Sequence, residues 1–142
     1  MPLRVESRKE AAQVPFLTRR RVLLVEGDPR DLRYYTGILQ QQGCEVRACA
    51  SYSEGLRTVE VEKFDFIIVN QGSLAFEARP FVDRVLTIDR RTPVLIITRC
   101  ADMGCYLEAM QMGAVDYLEK PLAASHLTRV IETHLRPHTV TA

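Results

Sequence analysis

Five short apolar runs alternate with five helical patterns along this chain, and this alternation constrains the fold more than any other feature. Three runs are continuous and rich in β-branched residues, at 22–25, 66–69 and 94–97. Such runs suit strands that are covered on both faces, as in parallel sheets. The runs at 45–48 and 115–118 mix polar with apolar residues. We therefore expect a parallel sheet with the second and fifth strands at its edges.

The helical patterns between these runs have recognisable ends. The first is predicted to follow Asp28, with Pro29 in its first turn, and to stop at Gly43. The fourth is predicted to follow the capping residue Asp102 and to end at Gly113. Its spacing places three residues on the buried face, namely Met103, Leu107 and Met110.

Strand and helix in alternation predict right-handed crossovers, and the two mixed edge strands select the order 2-1-3-4-5. This is the flavodoxin-like, doubly wound α/β fold, with helices on both faces of a five-stranded parallel sheet. Ligands of such folds bind at the carboxyl ends of the strands. The residues expected there are Glu26, Gly27, Asp28, Asn70, Thr98 and Lys120.

Composition narrows the class of protein. A chain of 142 residues is the length of one domain, and we expect a flexible basic arm at 1–20, a folded domain at 21–136 and a short tail at 137–142. No apolar stretch is long enough for a membrane span or a secretory signal. The formal net charge of +1 argues against binding nucleic acid by bulk electrostatics.

The four cysteines form no framework typical of a metal site. Cys44 and Cys49 are five residues apart, as are Cys100 and Cys105, with no histidine at zinc-finger spacing. The odd spacing directs Cys44 and Cys49 to opposite sides of the sheet. We interpret all four as reduced, buried, small apolar groups in a cytoplasmic protein.

The predicted strand ends do not suit common catalytic chemistry. The loop Glu26-Gly27-Asp28-Pro29 places two carboxylates where a phosphate cradle would need N–H donors. The three histidines, His126, His134 and His138, lie on the last helix or in the tail. We therefore expect neither an enzyme nor a cofactor-binding protein.

Residues 21–135 resemble the receiver domain of two-component response regulators. The resemblance is carried by VLLVE-x-DP, FDFIIVN, PVLIIT and GAVDYLEKP, in that order. In that family an aspartate after the third strand accepts a phosphoryl group from a histidine kinase, and an acidic pair after the first strand helps to hold Mg²⁺. By this resemblance Thr98 would contact the phosphoryl group, Lys120 would pair with its charge, Tyr117 is the aromatic switch, and Glu26 is the first acid.

Two positions depart from the family in ways that affect the chemistry. Asn70 stands at the phosphoacceptor position and Gly27 at the second acid. An amide is a poor nucleophile, and Mg²⁺ prefers anionic oxygens. Lys120 is expected to pair directly with Glu26, with Asp28 as the one other carboxylate available to a metal. Further departures from the family are Leu74, Ala78 and Arg99, and the long side chain of Arg99 could cover the pocket or supply its own cation. The sequence thus indicates a pseudo-receiver with weak or absent Mg²⁺ binding.

The first hypothesis is an interaction module that is independent of phosphorylation. Its partner would be a histidine kinase or another response regulator, or a second copy bound through the fourth helix, fifth strand and fifth helix, where Asp116 and Arg129 could pair. We expect no contact with a membrane and no direct binding of nucleic acid, because no output domain is recognisable after residue 136.

Two alternatives remain open from the residues alone. The domain could be phosphorylated on a non-standard acid, Asp28 or Asp65. It could instead sense a small anion through Lys120, Thr98 and Arg99 in the vacated pocket.

Overall fold

The computed structural model describes residues 17–135. In this part of the chain five strands alternate with five helices. The strands are β1 (Arg21–Val25), β2 (Glu45–Cys49), β3 (Phe66–Asn70), β4 (Val94–Thr98) and β5 (Asp116–Glu119). The helices are α1 (Pro29–Gln41), α2 (Tyr52–Val61), α3 (Arg79–Ile88), α4 (Met103–Met112) and α5 (Ala124–His134).

The sheet has the predicted topology. All strand pairs are parallel, and the order is β2-β1-β3-β4-β5. Every residue of β4 is buried, whereas β2 and β5 at the edges are partly exposed. The contrast between continuous and mixed apolar runs therefore identified the central and edge strands correctly, because only central strands are covered on both faces.

The two faces of the sheet form separate core layers, and successive residues of β1 alternate between them. Leu23 packs with α2, α3 and α4 on one face, and Leu24 with α1 and α5 on the other. Cys44 and Cys49 also divide between the two layers, as predicted. The prediction that all four cysteines are buried is wrong for Cys100, which is exposed in the loop after β4.

Side-chain caps begin α1, α2 and α4. Asp28 accepts the N–H groups of Arg30 and Asp31 at the start of α1. Ser51 caps α2, and Asp102 caps α4 by accepting the N–H of Cys105. These caps place α1 and α4 where the sequence predicted them.

The buried face of α4 differs from the prediction. Met103 and Leu107 are 69% and 50% exposed, and the helix instead buries Cys105 and Ala109. Met110 is partly buried, as predicted. Apolar residues surround much of this helix, so spacing alone does not define which side faces the sheet. As a consequence α4 presents large apolar side chains to solvent.

The folded part of the chain extends before the predicted boundary at residue 21. Leu17 is 1% exposed and packs in the core layer beside α1 and α5. The N–H of Arg19 donates to the carbonyl of Gly43 at 2.8 Å. The expectations for the rest of the arm and for the tail fall outside the described residues. Between residues 17 and 135 no helix combines the length and hydropathy needed to cross a bilayer.

Candidate functional site

The parallel strands bring four of the expected site residues together at their carboxyl ends, along one edge of the sheet. Glu26 follows β1, Asn70 and Thr98 end β3 and β4, and Lys120 follows β5. Glu26, Thr98 and Lys120 are buried, at 2%, 0% and 7% exposure. Buried polar groups are costly unless they are paired, so their partners define the site.

Lys120 is paired with two carboxylates. Its Nζ lies 2.9 Å from Oε1 of Glu26 and 2.8 Å from Oδ2 of Asp31, and its side chain is only 3% exposed. The contact with Glu26 is the one we expected. Two acids around one ammonium leave an excess negative charge that needs a second cation.

Arg99 supplies that second cation. Its Nη2 lies 2.6 Å from Oδ1 of Asp31, while the rest of its side chain extends toward solvent and is 57% exposed. Burial alone would raise the pKa of Asp31, but hydrogen bonds and charges from Lys120 and Arg99 outweigh it and hold the pKa below its usual range. The four groups Glu26, Asp31, Arg99 and Lys120 therefore balance in charge.

Sequence reasoning missed Asp31 and named Asp28 as the other available carboxylate. Asp28 serves instead as the N-cap of α1, and its N–H donates to Oε2 of Glu26 at 3.0 Å. A signal for Asp31 was present in the helical spacing. It lies four residues before Tyr35, and the buried face of α1 consists of Asp31, Tyr35, Ile38 and Leu39.

Asn70 and Thr98 have main-chain and loop partners. The carbonyl of Asn70 accepts the hydroxyl of Tyr52 at 2.7 Å. The hydroxyl oxygen of Thr98 accepts the N–H of Cys100 at 2.9 Å and lies 3.6 Å from the Cys100 sulfur. The Thr98 hydroxyl is thus used in shaping the loop after β4.

Tyr117 is linked to Gln71, a residue that the sequence analysis did not single out. The Tyr117 hydroxyl donates a short hydrogen bond to Oε1 of Gln71, and it accepts the N–H of Asp102 at 3.1 Å. Gln71 is fully buried directly after Asn70. No motif marks this glutamine, because its role depends on a strand 46 residues away.

The remaining candidate residues lie elsewhere. Asp65 precedes β3 and lies at the amino ends of the strands, on the opposite side of the sheet from the site. There its Oδ2 accepts the N–H of Arg21 at 2.8 Å. Asp116 accepts the N–H of Tyr117, and Arg129 is exposed on α5.

The carboxylates at the site are a poor fit to Mg²⁺. Each of the four oxygens of Glu26 and Asp31 already accepts a hydrogen bond, from Lys120, Arg99 or the N–H of Asp28. Neither Gly27 nor Asn70 adds an anionic ligand. Within the described residues no group of three His, Cys, Asp or Glu side chains is arranged to hold a metal ion.

The fold and this edge define a receiver-type α/β domain. Residues 22–132 match the family model of the response regulator receiver domain, which covers more than half of the chain. The chain therefore belongs to the response regulator receiver domain family, as its motifs indicated.

Curated relatives are similar over most of this chain. The transcriptional activator protein IrlR of Burkholderia pseudomallei (strain 1026b) is 28% identical over 116 residues, which are 82% of this chain and 50% of that protein. The transcriptional regulatory protein ZraR of Escherichia coli (strain K12) is 25% identical over 114 residues, 80% of this chain and 26% of that protein. The chain thus spans between a quarter and a half of these two relatives.

Solved structures share the fold. A receiver domain protein (CheY-like) from Methanospirillum hungatei JF-1 superposes with a TM-score of 0.76 at 23% identity, covering 82% of this chain and 93% of that one. A receiver domain protein from Clostridium thermocellum gives a TM-score of 0.73 at 26% identity, covering 81% and 93%.

Proposed function

We propose that this receiver domain acts as a protein-interaction module that works without aspartyl phosphorylation and without enzymatic activity. The observation that carries the proposal is the pairing of buried Lys120 with both Glu26 and Asp31 beside Asn70. In a phosphorylatable site this lysine meets the charge of the phosphoryl group. Here its charge is already neutralised by the protein itself.

The nucleophile is the second part of the argument. Formation of an acyl phosphate requires a carboxylate oxygen that attacks phosphorus and then carries the phosphoryl group. The neutral amide of Asn70 does not provide one. We therefore expect the domain to remain unmodified in the presence of a phosphoryl donor.

Magnesium binding is expected to be weak or absent for the same electrostatic reason. A divalent cation at this edge would have to displace Lys120 or Arg99 from the two carboxylates. Mg²⁺ also loses its hydration water reluctantly and is held by carboxylates together with phosphate oxygens. With one ammonium and one guanidinium balancing Glu26 and Asp31, the gain from binding is small.

The proposed partner is a regulatory protein of a two-component pathway, either a histidine kinase or another response regulator, in the cytoplasm. The α4–β5–α5 surface is the proposed contact. Support comes from three large apolar side chains that α4 exposes, Met103, Tyr106 and Leu107. Apolar groups concentrated on one exposed helix are typical of an interaction site.

A second copy of this chain could occupy the same surface. Asp116 at the start of β5 and exposed Arg129 on α5 would then pair between subunits. Sedimentation velocity across a hundredfold dilution tests this part of the proposal. A concentration-dependent dimer that Arg129→Glu weakens would support it, and a monomer throughout would remove the homodimer.

The two alternative functions have less support. Asp28 is engaged as a helix cap, and Asp65 lies at the opposite edge of the sheet from Lys120. An anion sensor would need cations that are free to bind, whereas Lys120 and Arg99 are both paired with carboxylates.

Incubation of the full chain with Mg²⁺ and acetyl phosphate, followed by intact-mass analysis, tests the main proposal. We expect no phosphoryl adduct. A stoichiometric, Mg²⁺-dependent adduct would overturn it, and peptide mapping would then locate the modified acid.

A further inference from the structure

The hydroxyl of Tyr117 joins three elements that lie apart in sequence. It donates to Gln71 after β3 and accepts from the N–H of Asp102, the residue that caps α4. The ring of Tyr117 also packs against that of Tyr106 on α4 in a T-shaped arrangement, with 5.7 Å between ring centroids. One hydroxyl thus connects the end of β3, strand β5 and the first turn of α4.

Gln71 can hold this hydroxyl in only one way. Its Nε2 donates to the carbonyl of Ser73 at 3.0 Å and to that of Cys100 at 3.4 Å. An amide turned over would bring its oxygen against those two carbonyls, which offer no donor. With Nε2 committed in this way, Oε1 must face Tyr117.

The burial of Gln71 makes this arrangement stiff. The side chain is 0% exposed, so water cannot replace a lost partner without opening the loop. A buried amide left without partners is costly, which favours keeping all its contacts together.

We infer that Gln71 is a positioning residue that fixes Tyr117, and through it the start of α4, in a single arrangement. The α4–β5 face, with Met103, Tyr106 and Leu107 exposed, is then presented constantly to a partner. Gln71, the residue directly after Asn70, thereby anchors the Tyr117 hydroxyl at the end of β3. This inference deepens the proposed function and rests on it.

The test is residue-resolved amide hydrogen exchange, measured by NMR on the full chain. Gln71→Leu removes both the acceptor and the donors. We expect the amide of Asp102 to exchange roughly fivefold faster, since one net hydrogen bond is released. The amides of the α4 first turn should follow, while those of β1 and β2 stay unchanged. Gln41→Leu, at the exposed end of α1, is the matched control and should leave α4 exchange as in the wild type.

Tyr117→Phe gives an independent measurement. It removes the hydroxyl directly and should speed exchange at Asp102 by a similar factor. Adding Gln71→Leu to this variant should produce no further change at that amide, because both residues act through one contact. If Gln71→Leu fails to fold, Gln71→Met keeps the side-chain length and provides the same comparison.

If the Asp102 amide of the Gln71 variants exchanged at the wild-type rate, the inference would be overturned, regardless of the exchange rate in Tyr117→Phe. This readout does not depend on phosphorylation. A phosphoryl adduct on the wild-type chain would refute the proposed function, whereas unchanged exchange would refute only the role of Gln71.

Discussion

The ammonium group of Lys120 lies 2.8 Å from Oδ2 of Asp31, although 89 residues separate them in sequence. The same nitrogen lies 2.9 Å from Glu26, and Arg99 meets the other oxygen of Asp31 at 2.6 Å. The strand ends are therefore held together by ion pairs of the chain's own side chains. The pairs of Lys120 with Glu26 and Asp31 are buried, and such pairs are sensitive to the loss of either partner.

Replacement of Lys120 by methionine should destabilise the domain strongly. Glu26 and Asp31 would remain buried with one cation fewer, and breaking a buried pair in this way costs about 3 kcal/mol or more. Urea unfolding at pH 7, followed by circular dichroism, measures the change. Lys63→Met is the matched control because Lys63 is exposed, and its effect should be within about 0.5 kcal/mol of zero. Equal effects of the two variants would contradict the structural role of Lys120.

Asp31 should make stability depend on pH in the acidic range. Its pKa is lowered in the folded state, so the unfolded chain takes up a proton near pH 4 while the folded chain does not. The stabilisation is present above about pH 4 and is lost as pH falls through the folded-state pKa. Asp31→Asn should flatten this part of the curve, measured as urea midpoints between pH 6 and pH 2.

Asp83→Asn serves as the control for that experiment. Asp83 is exposed on α3, and no ion pair joins it to another described residue. Its curve should run parallel to that of the wild type. An Asp31→Asn curve as steep as the wild-type curve would show that other acids dominate the acid transition.

Tyr52 should contribute to stability at neutral pH and lose that contribution in alkali. Burial, reinforced by Glu77 and Glu26, raises the pKa of Tyr52 to about 12, against about 10 for an unfolded tyrosine. The contribution is fully present below about pH 10 and lost as pH rises toward 12. Tyr52→Phe should cost about 1 kcal/mol at pH 7 and reduce the alkaline slope of the melting temperature.

Tyr106→Phe is the comparison for Tyr52. Tyr106 is 38% exposed, and its hydroxyl makes no hydrogen bond to the described part of the chain. Tyr106→Phe should have the stability of the wild type at pH 7 and the same alkaline slope of the melting temperature. If Tyr52→Phe had wild-type stability at pH 7, the hydrogen bond from the Tyr52 hydroxyl to the Asn70 carbonyl would not stabilise the fold.

Restoring two carboxylates should restore phosphorylation. A side chain at Gly27 is sterically acceptable, because the added Cβ would lie 3.6 Å from the Ala50 carbonyl oxygen, an ordinary contact. Gly27→Asp with Asn70→Asp adds two anionic ligands, which should attract Mg²⁺ and supply a nucleophile. We expect Mg²⁺ to raise the melting temperature of the double variant and acetyl phosphate to produce an adduct.

The single variant Gly27→Asp is the control for the restored site. Gly27→Asp alone should gain Mg²⁺ stabilisation but no adduct, since Asn70 remains. An unmodified double variant would contradict the view that these two positions alone block the chemistry. Adding Arg99→Ala would then test whether the guanidinium paired with Asp31 keeps Mg²⁺ out.

Two glycines should respond oppositely to alanine. Gly37 lies inside α1 with nothing within 4 Å of an added Cβ, so Gly37→Ala should stabilise the domain by about 0.5–1 kcal/mol. Gly113 ends α4 with φ at +112°, a conformation that alanine adopts only with strain. Gly113→Ala should destabilise the domain by about 1 kcal/mol, and thermal melts of both variants decide the comparison. Changes of the same sign would contradict this account.

Local patterns were sufficient for the fold because they depend on neighbours in sequence. The apolar runs, the cap at Asp28 and the stop at Gly113 each act within a few residues, and all are present in the structure. The predicted face of α4 failed at Met103 and Leu107, where apolar residues on several sides leave the orientation to packing.

The sequence by itself determined the strand order and the fact that Glu26, Thr98 and Lys120 lie together at the carboxyl ends of the strands. Only the tertiary structure decided that Asp31, rather than Asp28, accompanies Glu26 beside Lys120, and that Gln71 meets Tyr117. The reason is physical. Strand order follows from burial patterns that each segment carries alone, whereas these partners come from segments 89 and 46 residues apart, whose side chains meet only once the sheet has formed.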